Sequence, residues 1–377
     1  MDDSRDLILD ELAFSEFPKT HEMLRAGLSE GTAPGIVAGY WDFRQKNRIR
    51  ALGLGVRRVG GAPIDVETFF DLSSVTKVFA TATLAAVLVD RGWISWDTPL
   101  RSILPEYPHS GIELRHLLSH TAGLPAWEPF WEKLRSRFTP RELYRVSIRE
   151  RQSAMRELVF SVPPGASPGE RAVYSDLSFL LLGFALEQVT GMPLDQAVRK
   201  FVWDPMGVRD AFYRRVNRRA ESAVLEQVAA TENCPWRGAI QGQVHDDNCW
   251  AMGGYGGHAG AFAKIRDLLQ FARSLMTGFL SSETRRAAWS RVSSPAGCLR
   301  TLGWDTPGAV ETSARGLSDR SVGHLGFTGT SLWIDPERGL AIALLTNRVH
   351  PTRENIKIRA FRPRFHEVLV QEILALK

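Results

Sequence analysis

Three short stretches of this chain carry residue types that could do chemistry together. The first is Ser74-Val75-Thr76-Lys77. A serine three residues before a lysine, at the start of an apolar helix, places a hydroxyl and an amine on one face. Serine is a poor nucleophile until a neighbouring base takes its proton, and a partly desolvated lysine can contribute to that. Of the eight lysines, only Lys77 has a serine at that spacing. Taken alone, the tetrapeptide reads more readily as a helix start with Ser74 as N-cap and Lys77 solvated. The second stretch is Tyr174-Ser175-Asp176. A phenol beside an ammonium group can be held partly ionised and can carry a proton from a serine to a leaving group. The third is His324-Leu325-Gly326. A glycine in an edge strand lets substrate backbone approach, and the amide that follows can point at an oxyanion.

The elements around these stretches follow from hydrophobic period and turn residues. Arg5 to Leu28 is loosely helical, ending at Thr32-Ala33-Pro34-Gly35. Residues 36–41 and 49–54 read as a hairpin. The Ser74 helix runs through Leu84 and Leu88 and stops at Gly92. Asp176 to Val189 is apolar on nearly every side, which predicts a buried helix ended by Gly191. A glycine-rich run, residues 253–260, precedes a helix over 265–276. Residues 323–327, 331–334 and 340–346 read as a meander, and Val368 to Leu376 as a closing helix. Strands at both ends with helices between them predict an α/β (α+β) sheet domain, 1–72 and 252–377, with a mainly helical insertion over 73–251. The site is expected between the two parts.

Composition narrows the class. The chain has 377 residues, 44% hydrophobic and 24% charged, which is ordinary for a globular protein with a large core. No apolar run approaches the ~20 residues of a membrane span. The start, Met1-Asp2-Asp3-Ser4-Arg5-Asp6, is acidic and carries no apolar signal core, so a cytoplasmic location is expected. Three cysteines, Cys234, Cys249 and Cys298, have no metal-ligand spacing and form no disulfide framework. The net charge of +5 comes from scattered arginines rather than a basic block, so no nucleic-acid partner is expected. The sequence does not set the oligomeric state.

In this order, S-x-x-K, then Y-x-[ND], then [KH]-x-G, the chain resembles the penicillin-recognising serine hydrolases: serine β-lactamases, D-alanyl-D-alanine peptidases and their esterase relatives. Leu114 to Pro125, reading LRHLLSHTAGLP, is similar to the family's helix-and-turn segment, and Pro164-Gly165 matches its approach to the tyrosine. The resemblance spans roughly residues 20 to 350. It implies an antiparallel sheet flanked by helices, with an all-helical part beside it. It also implies Ser74 as acylated nucleophile, Lys77 as its proton-transfer partner and Tyr174 as general base and acid. The oxyanion hole would be the backbone N–H groups of Ser74 and Phe327, with Asp176, His324 and Gly326 contacting substrate. No cofactor or metal is implied. Loops around Thr231-Glu232, Trp236-Arg237-Gly238, residues 242–248 and Gly257-His258-Ala259-Gly260 look like a subgroup with members linked to peptidoglycan recycling. A metal site at His245, Asp246, Asp247 and His258 fits poorly, and loop hydrogen bonding fits better.

Two departures bear on substrate. Much of the family has asparagine where Asp176 stands, and an ionised aspartate can only accept hydrogen bonds. Asp176 also favours Lys77 as a cation, which shifts the base role towards Tyr174. Where many β-lactamases carry Lys-Thr-Gly, His324 is mostly neutral at pH 7 and Leu325 offers no hydrogen bond. A weak carboxylate anchor predicts an esterase or amidase acting on small esters or muropeptides with an uncharged flank. A weak β-lactamase or D-alanyl peptidase is the alternative, and a non-catalytic binder of cell-wall fragments is the alternative from another class. Trp127, Trp131, Trp236 and Trp250 could line an apolar cleft. Gly27-Leu28-Ser29-Glu30-Gly31 matches the nucleophile-elbow pattern G-x-S-x-G, but Ser29 follows a helix and precedes a strand, the reverse of what that elbow needs.

Overall fold

The computed structural model describes residues 7–45, 47–137, 143, 145–216, 226–308 and 314–376; the acidic start, Met1–Asp6, lies outside them. A six-stranded sheet is the frame on which the other elements are mounted. Its strands are β1 (Ile8–Glu11), β2 (Gly35–Asp42), β3 (Arg48–Gly55), β9 (Val322–Leu325), β10 (Ser331–Asp335) and β11 (Leu340–Thr346), in the order β1-β3-β2-β11-β10-β9. All neighbours are antiparallel except β1 with β3. Short strands β4 (Phe70–Asp71), β5 (Phe212–Tyr213) and β8 (Ala261–Ala263) form a second sheet, and β6 (Ala230–Cys234) pairs with β7 (Gly238–Gln241).

The central strands β2 and β11 are buried at every position, so both faces must be covered. The period of two divides them cleanly. Ile36, Ala38 and Tyr40 join Leu340, Ile342 and Leu344 in one core, covered by the helices Pro18–Ser29 and Ile358–Ala375. Val37 and Trp41 join Ala341, Ala343 and Leu345 in the other, which runs on into the helical part of the chain. There the Ile265–Met276 helix packs on β2 and β11.

In the helical part, the Asp176–Thr190 helix is buried from Leu177 to Leu186 and touches the Leu114–Leu118 and Ile148–Phe160 helices. Its end is set by Gly191 in the left-handed conformation, φ 64°. The glycine-rich loop lies against it: a Cβ on Gly257 would sit 2.0 Å from the Phe179 carbonyl oxygen, so only glycine allows this approach. The segment Ser73–Asp90 is apolar enough by composition to cross a membrane, but 78% of it is buried inside the fold.

Two elements differ from the sequence reading. The first segment is strand β1 followed by a helix that begins only at Pro18, because β1 finds a parallel partner in β3 that local periodicity cannot reveal. The closing helix begins at Ile358, ten residues before Val368. The helix carries Pro363 in its second turn, where the residue is buried.

Candidate active site

The first stretch is not a capped, solvated helix start. Residues Ser73–Val75 form a 3-10 turn, the cap residue Leu72 contributes no side chain, and Lys77 opens a turn of π-helix, Lys77–Ala82, that continues into the Thr83–Asp90 helix. Lys77 is 0% exposed. A buried ammonium must spend its three N–H donors on acceptors, and Lys77 does. Its Nζ lies 2.7 Å from the Asp176 carboxylate, 3.0 Å from the His258 carbonyl oxygen and 3.1 Å from Ser74 Oγ. Burial pushes its pKa down, but Asp176 and Tyr174 outweigh burial and hold it above the usual lysine value.

Tyr174 and Asp176 flank the start of the buried helix. Ser175 caps it, its Oγ accepting from Ser178 N at 3.2 Å and donating to Pro125 O at 2.7 Å, while Asp176 N donates to Ala126 O at 2.9 Å. These bonds fix Asp176 over Lys77 and turn Tyr174 towards Ser74. Burial raises the Tyr174 pKa above its ordinary value. Lys77 opposes that by charge, and side-chain hydrogen bonds to Lys77 and Ser74 act the same way. His120, at a left-handed φ of 59°, supports the tyrosine from behind. Its ring lies 4.6 Å from the Tyr174 ring and its Nδ1 accepts from Ser175 N at 3.0 Å. Burial holds its pKa well below the usual histidine value, so it is neutral there.

The third stretch ends edge strand β9. His324 Nδ1 donates to Leu325 O at 2.9 Å, which leaves Nε2 a bare, buried acceptor with no partner among the described residues. Burial lowers the His324 pKa to about 4. Gly326 has a different reason from the one read in the sequence. A Cβ there would sit 2.0 Å from Thr330 Oγ1 and 2.6 Å from Leu72 O, so the close approach is of the protein's own chain. Thr330 Oγ1 and Thr328 Oγ1 donate to the carbonyl oxygens of Leu72 and Asp71, at 3.0 and 2.7 Å, tying this turn to the serine turn. Phe327 N donates to Ser73 Oγ at 3.1 Å, so in the free protein this amide is already occupied by the neighbour of Ser74.

Ser74, Tyr174, Asp176, His324, Gly326 and Phe327 all line one cavity of ≈ 700 Å³. Lys77 lies beneath it. Of the four tryptophans only Trp127 lines the cavity; Trp131 stacks on Trp236, centroids 4.5 Å apart, and Trp250 is buried.

The acidic and histidine residues of the loops pair with one another. His258 Nε2 is 2.9 Å from Asp246 and His245 Nε2 is 2.9 Å from Glu232, which also binds Arg353 at 2.6 Å. Among the described residues no group of three or more His, Cys, Asp or Glu side chains is placed to hold a metal ion. The His258–Asp246 pair fixes the loop whose carbonyl receives Lys77. His245 stacks on the Phe327 ring, centroids 5.7 Å apart.

Sequence reasoning missed Ser73, His120, Arg348 and Arg362, which join the site only through long-range contacts. His120 had a signal in the LRHLLSHTAGLP run, and Ser73 in its place beside Ser74.

The family model for Beta-lactamase matches residues 21–363. The chain belongs to the Beta-lactamase family. A Salmonella agona protein named "Putative D-alanyl-D-alanine carboxypeptidase" is 29% identical over 327 residues, 77% of this chain and 72% of that protein. The fold is that of the octameric penicillin-binding protein homologue from Pyrococcus abyssi, with TM-score 0.71 and 20% identity over 96% of this chain and 77% of that one. It is equally that of EstCE1, described as a hydrolase with promiscuous acyltransferase activity. That match has TM-score 0.71 and 22% identity over 93% of this chain and 99% of that one. A class C beta-lactamase matches with TM-score 0.70 and 15% identity, over 96% and 97% of the two chains. The chain is thus a serine hydrolase of the Beta-lactamase family, with a β-lactamase/transpeptidase-like sheet flanked by helices.

Proposed function

We propose that Ser74 is the nucleophile and that the chain cleaves an ester or amide through an acyl-enzyme on its Oγ. The observation that carries this is the Lys77 ammonium, which donates to Ser74 Oγ at 3.1 Å while held by Asp176 at 2.7 Å. With Lys77 donating, the serine's own proton is directed elsewhere, and Tyr174 is the group in reach. In acylation Tyr174, once ionised, takes the Ser74 proton as Oγ bonds to the substrate carbonyl carbon, whose π electrons move onto the carbonyl oxygen. Tyr174 then gives a proton to the leaving oxygen or nitrogen as that bond breaks. A water later attacks the acyl carbon with Tyr174 as base, releasing the acid and restoring Ser74. The Ser74 and Phe327 amides would receive the oxyanion once the Ser73 hydroxyl gives way. Lys77 remains a cation that stabilises the Tyr174 phenolate before the proton is taken and after it is given up.

The substrate classes we favour are small esters and muropeptide amides, the second because a relative bears a D-alanyl-D-alanine carboxypeptidase name. A D-alanyl peptidase is the second reading, favoured by the same relative. Intact-protein mass measurement after exposure to an activated ester, a cephalosporin and a muropeptide tests the proposal, with Ser74→Ala as control. A Ser74-dependent adduct or turnover supports it, and the reagent that gives it names the bond. Neither adduct nor turnover with any of the three leaves a cell-wall-fragment binding protein.

A further inference from the structure

The serine turn holds a backbone conformation that serine seldom adopts. Ser73, the residue before the nucleophile, sits at φ 47°, in the left-handed region. Among the described residues only Ser73 and His120 take a positive φ without being glycine, and both adjoin the site. Such a conformation persists only where the surroundings hold it in place. Part of that hold lies on the Phe327 side. The Ser73 hydroxyl accepts from Phe327 N at 3.1 Å, and Thr328 Oγ1 donates to Asp71 O just before the turn.

The other part comes from Asp71, the last residue of β4. It is 2% exposed, and its carboxylate accepts two backbone N–H groups. Oδ1 accepts from Ser73 N at 2.8 Å and Oδ2 from His245 N at 2.6 Å. The first bond spans two residues and closes the turn at Ser73. The second reaches the loop whose His245 ring stacks on the Phe327 ring. Only a carboxylate serves both at once, since it accepts through two oxygens and an amide accepts through one. Burial raises the Asp71 pKa, and the two N–H groups oppose that rise. An apolar side chain here would leave both N–H groups buried without partners.

We propose that Asp71 is a positioning residue: it locks Ser73 in the left-handed conformation, and that conformation aims Ser74 at Lys77 and the cavity. Asp71 touches no reacting atom and acts on the nucleophile through the backbone of Ser73. Its second oxygen ties the same turn to the loop at His245, so one group joins the serine turn to the Phe327 side. Released from Asp71, Ser73 relaxes towards a negative φ and swings Ser74 Oγ off the Lys77 ammonium, now 3.1 Å away. This rests on the hydrolase reading of Ser74.

The test places Asp71→Asn on three backgrounds: native Ser73, Ser73→Gly and Ser73→Ala. Asparagine keeps the shape but sets an NH2 donor against one of the two N–H donors. Glycine reaches a left-handed φ without a lock, whereas alanine does not. Both lack the hydroxyl, so the difference between them isolates the backbone. Hydrolysis of p-nitrophenyl acetate is followed on protein shown to be folded by circular dichroism. On native Ser73, Asp71→Asn should lower kcat/KM by about 10- to 100-fold. On Ser73→Gly the same change should cost less than about threefold, and on Ser73→Ala the full loss should return. A loss below about tenfold on native Ser73 overturns the lock, as does an equal loss on all three backgrounds. Equal recovery with glycine and alanine also overturns it, because Asp71 would then act through the Ser73 hydroxyl. If Asp71→Asn does not fold on native Ser73, folding regained with glycine but not alanine supports the lock. Folding regained with both or with neither overturns it. Ester turnover by the native protein, lost in Ser74→Ala, tests the nucleophile reading separately, so the two can fail independently.

Discussion

The Lys77 ammonium and the Asp176 carboxylate lie 2.7 Å apart beneath the cavity, the lysine wholly buried and the aspartate 17% exposed. A pair so enclosed is screened little by salt. Asp176 is what keeps Lys77 a cation against its burial, and it also helps to raise Tyr174. Asp176→Asn should therefore lower the pKa of both groups. If Tyr174 must ionise to accept the serine proton, kcat/KM rises with pH, and in the variant that rise should move to lower pH. The pH profile on an activated ester measures it. An unchanged rate and profile would reject Lys77 as an electrostatic partner.

Removing the reacting groups themselves should cost far more. Ser74→Ala should lose ~10³-fold or more in kcat and give no covalent adduct, since it removes the hydroxyl to which Lys77 donates at 3.1 Å. Tyr174→Phe keeps the ring against His120 and removes only the oxygen. It should lose about 10²–10⁴-fold, with folding intact by circular dichroism. A Tyr174→Phe variant within tenfold of the native rate would return the base role to Lys77.

Much of this site was legible because its residues announce themselves by type and order: Ser74 and Lys77 one turn apart, Tyr174 before a buried helix, Gly326 after an edge strand. The hairpin of β2 and β3 and the meander of β9 to β11 were legible for the same reason, since residues close in sequence also pair in space. What stayed hidden depends on distant partners. Strand β1 was read as helix because its strand partner among the described residues, β3, lies forty residues on. The early turns of the last helix carry Pro363 and are held by Phe361 and Phe365, which pack with residues of β2 and β11 far away in the chain. Arg348 and Arg362 looked like scattered surface charge, because nothing in the sequence shows that the chain folds back to set them against the carbonyls of Phe327 and Gly326.

Gly326 carries a prediction of its own. Gly326→Ala would drive a Cβ to 2.6 Å from the Leu72 carbonyl, which belongs to the serine turn and cannot rotate aside as a side chain can. The variant should lose ~1–3 kcal/mol of stability and most of its activity together. Urea unfolding and ester hydrolysis check both. Activity lost with stability intact would instead mean that the glycine serves substrate approach.

Ser73 should restrain the enzyme. Its hydroxyl accepts the Phe327 N–H at 3.1 Å, in the place an oxyanion would need. Substrate must displace that bond, whose net worth is about 0.5–1.5 kcal/mol. Ser73→Ala should therefore raise kcat/KM on an activated ester by roughly twofold to tenfold. A fall in rate would show that Ser73 holds the amide in position rather than blocking it.

His324 should make the fold sensitive to acid in a defined window. Its pKa is about 4 in the folded chain, because burial disfavours the charged ring, and near 6.5 once the chain unfolds. Above pH 6.5 neither state binds the proton and the residue contributes nothing. Between pH 6.5 and 4 the unfolded chain takes up a proton that the folded chain refuses, so stability falls as pH falls; below 4 both bind it and the loss is complete. The total from this residue is of the order of 3 kcal/mol. His366, buried beside Arg362 with a pKa of about 3, acts in the same direction over pH 6.5 to 3. Urea unfolding from pH 7 to 4 should show this slope, and His324→Asn should reduce it by up to one proton while leaving that of His366. An equal slope in the native protein and in the variant would mean that the ring is already solvated or protonated in the folded state.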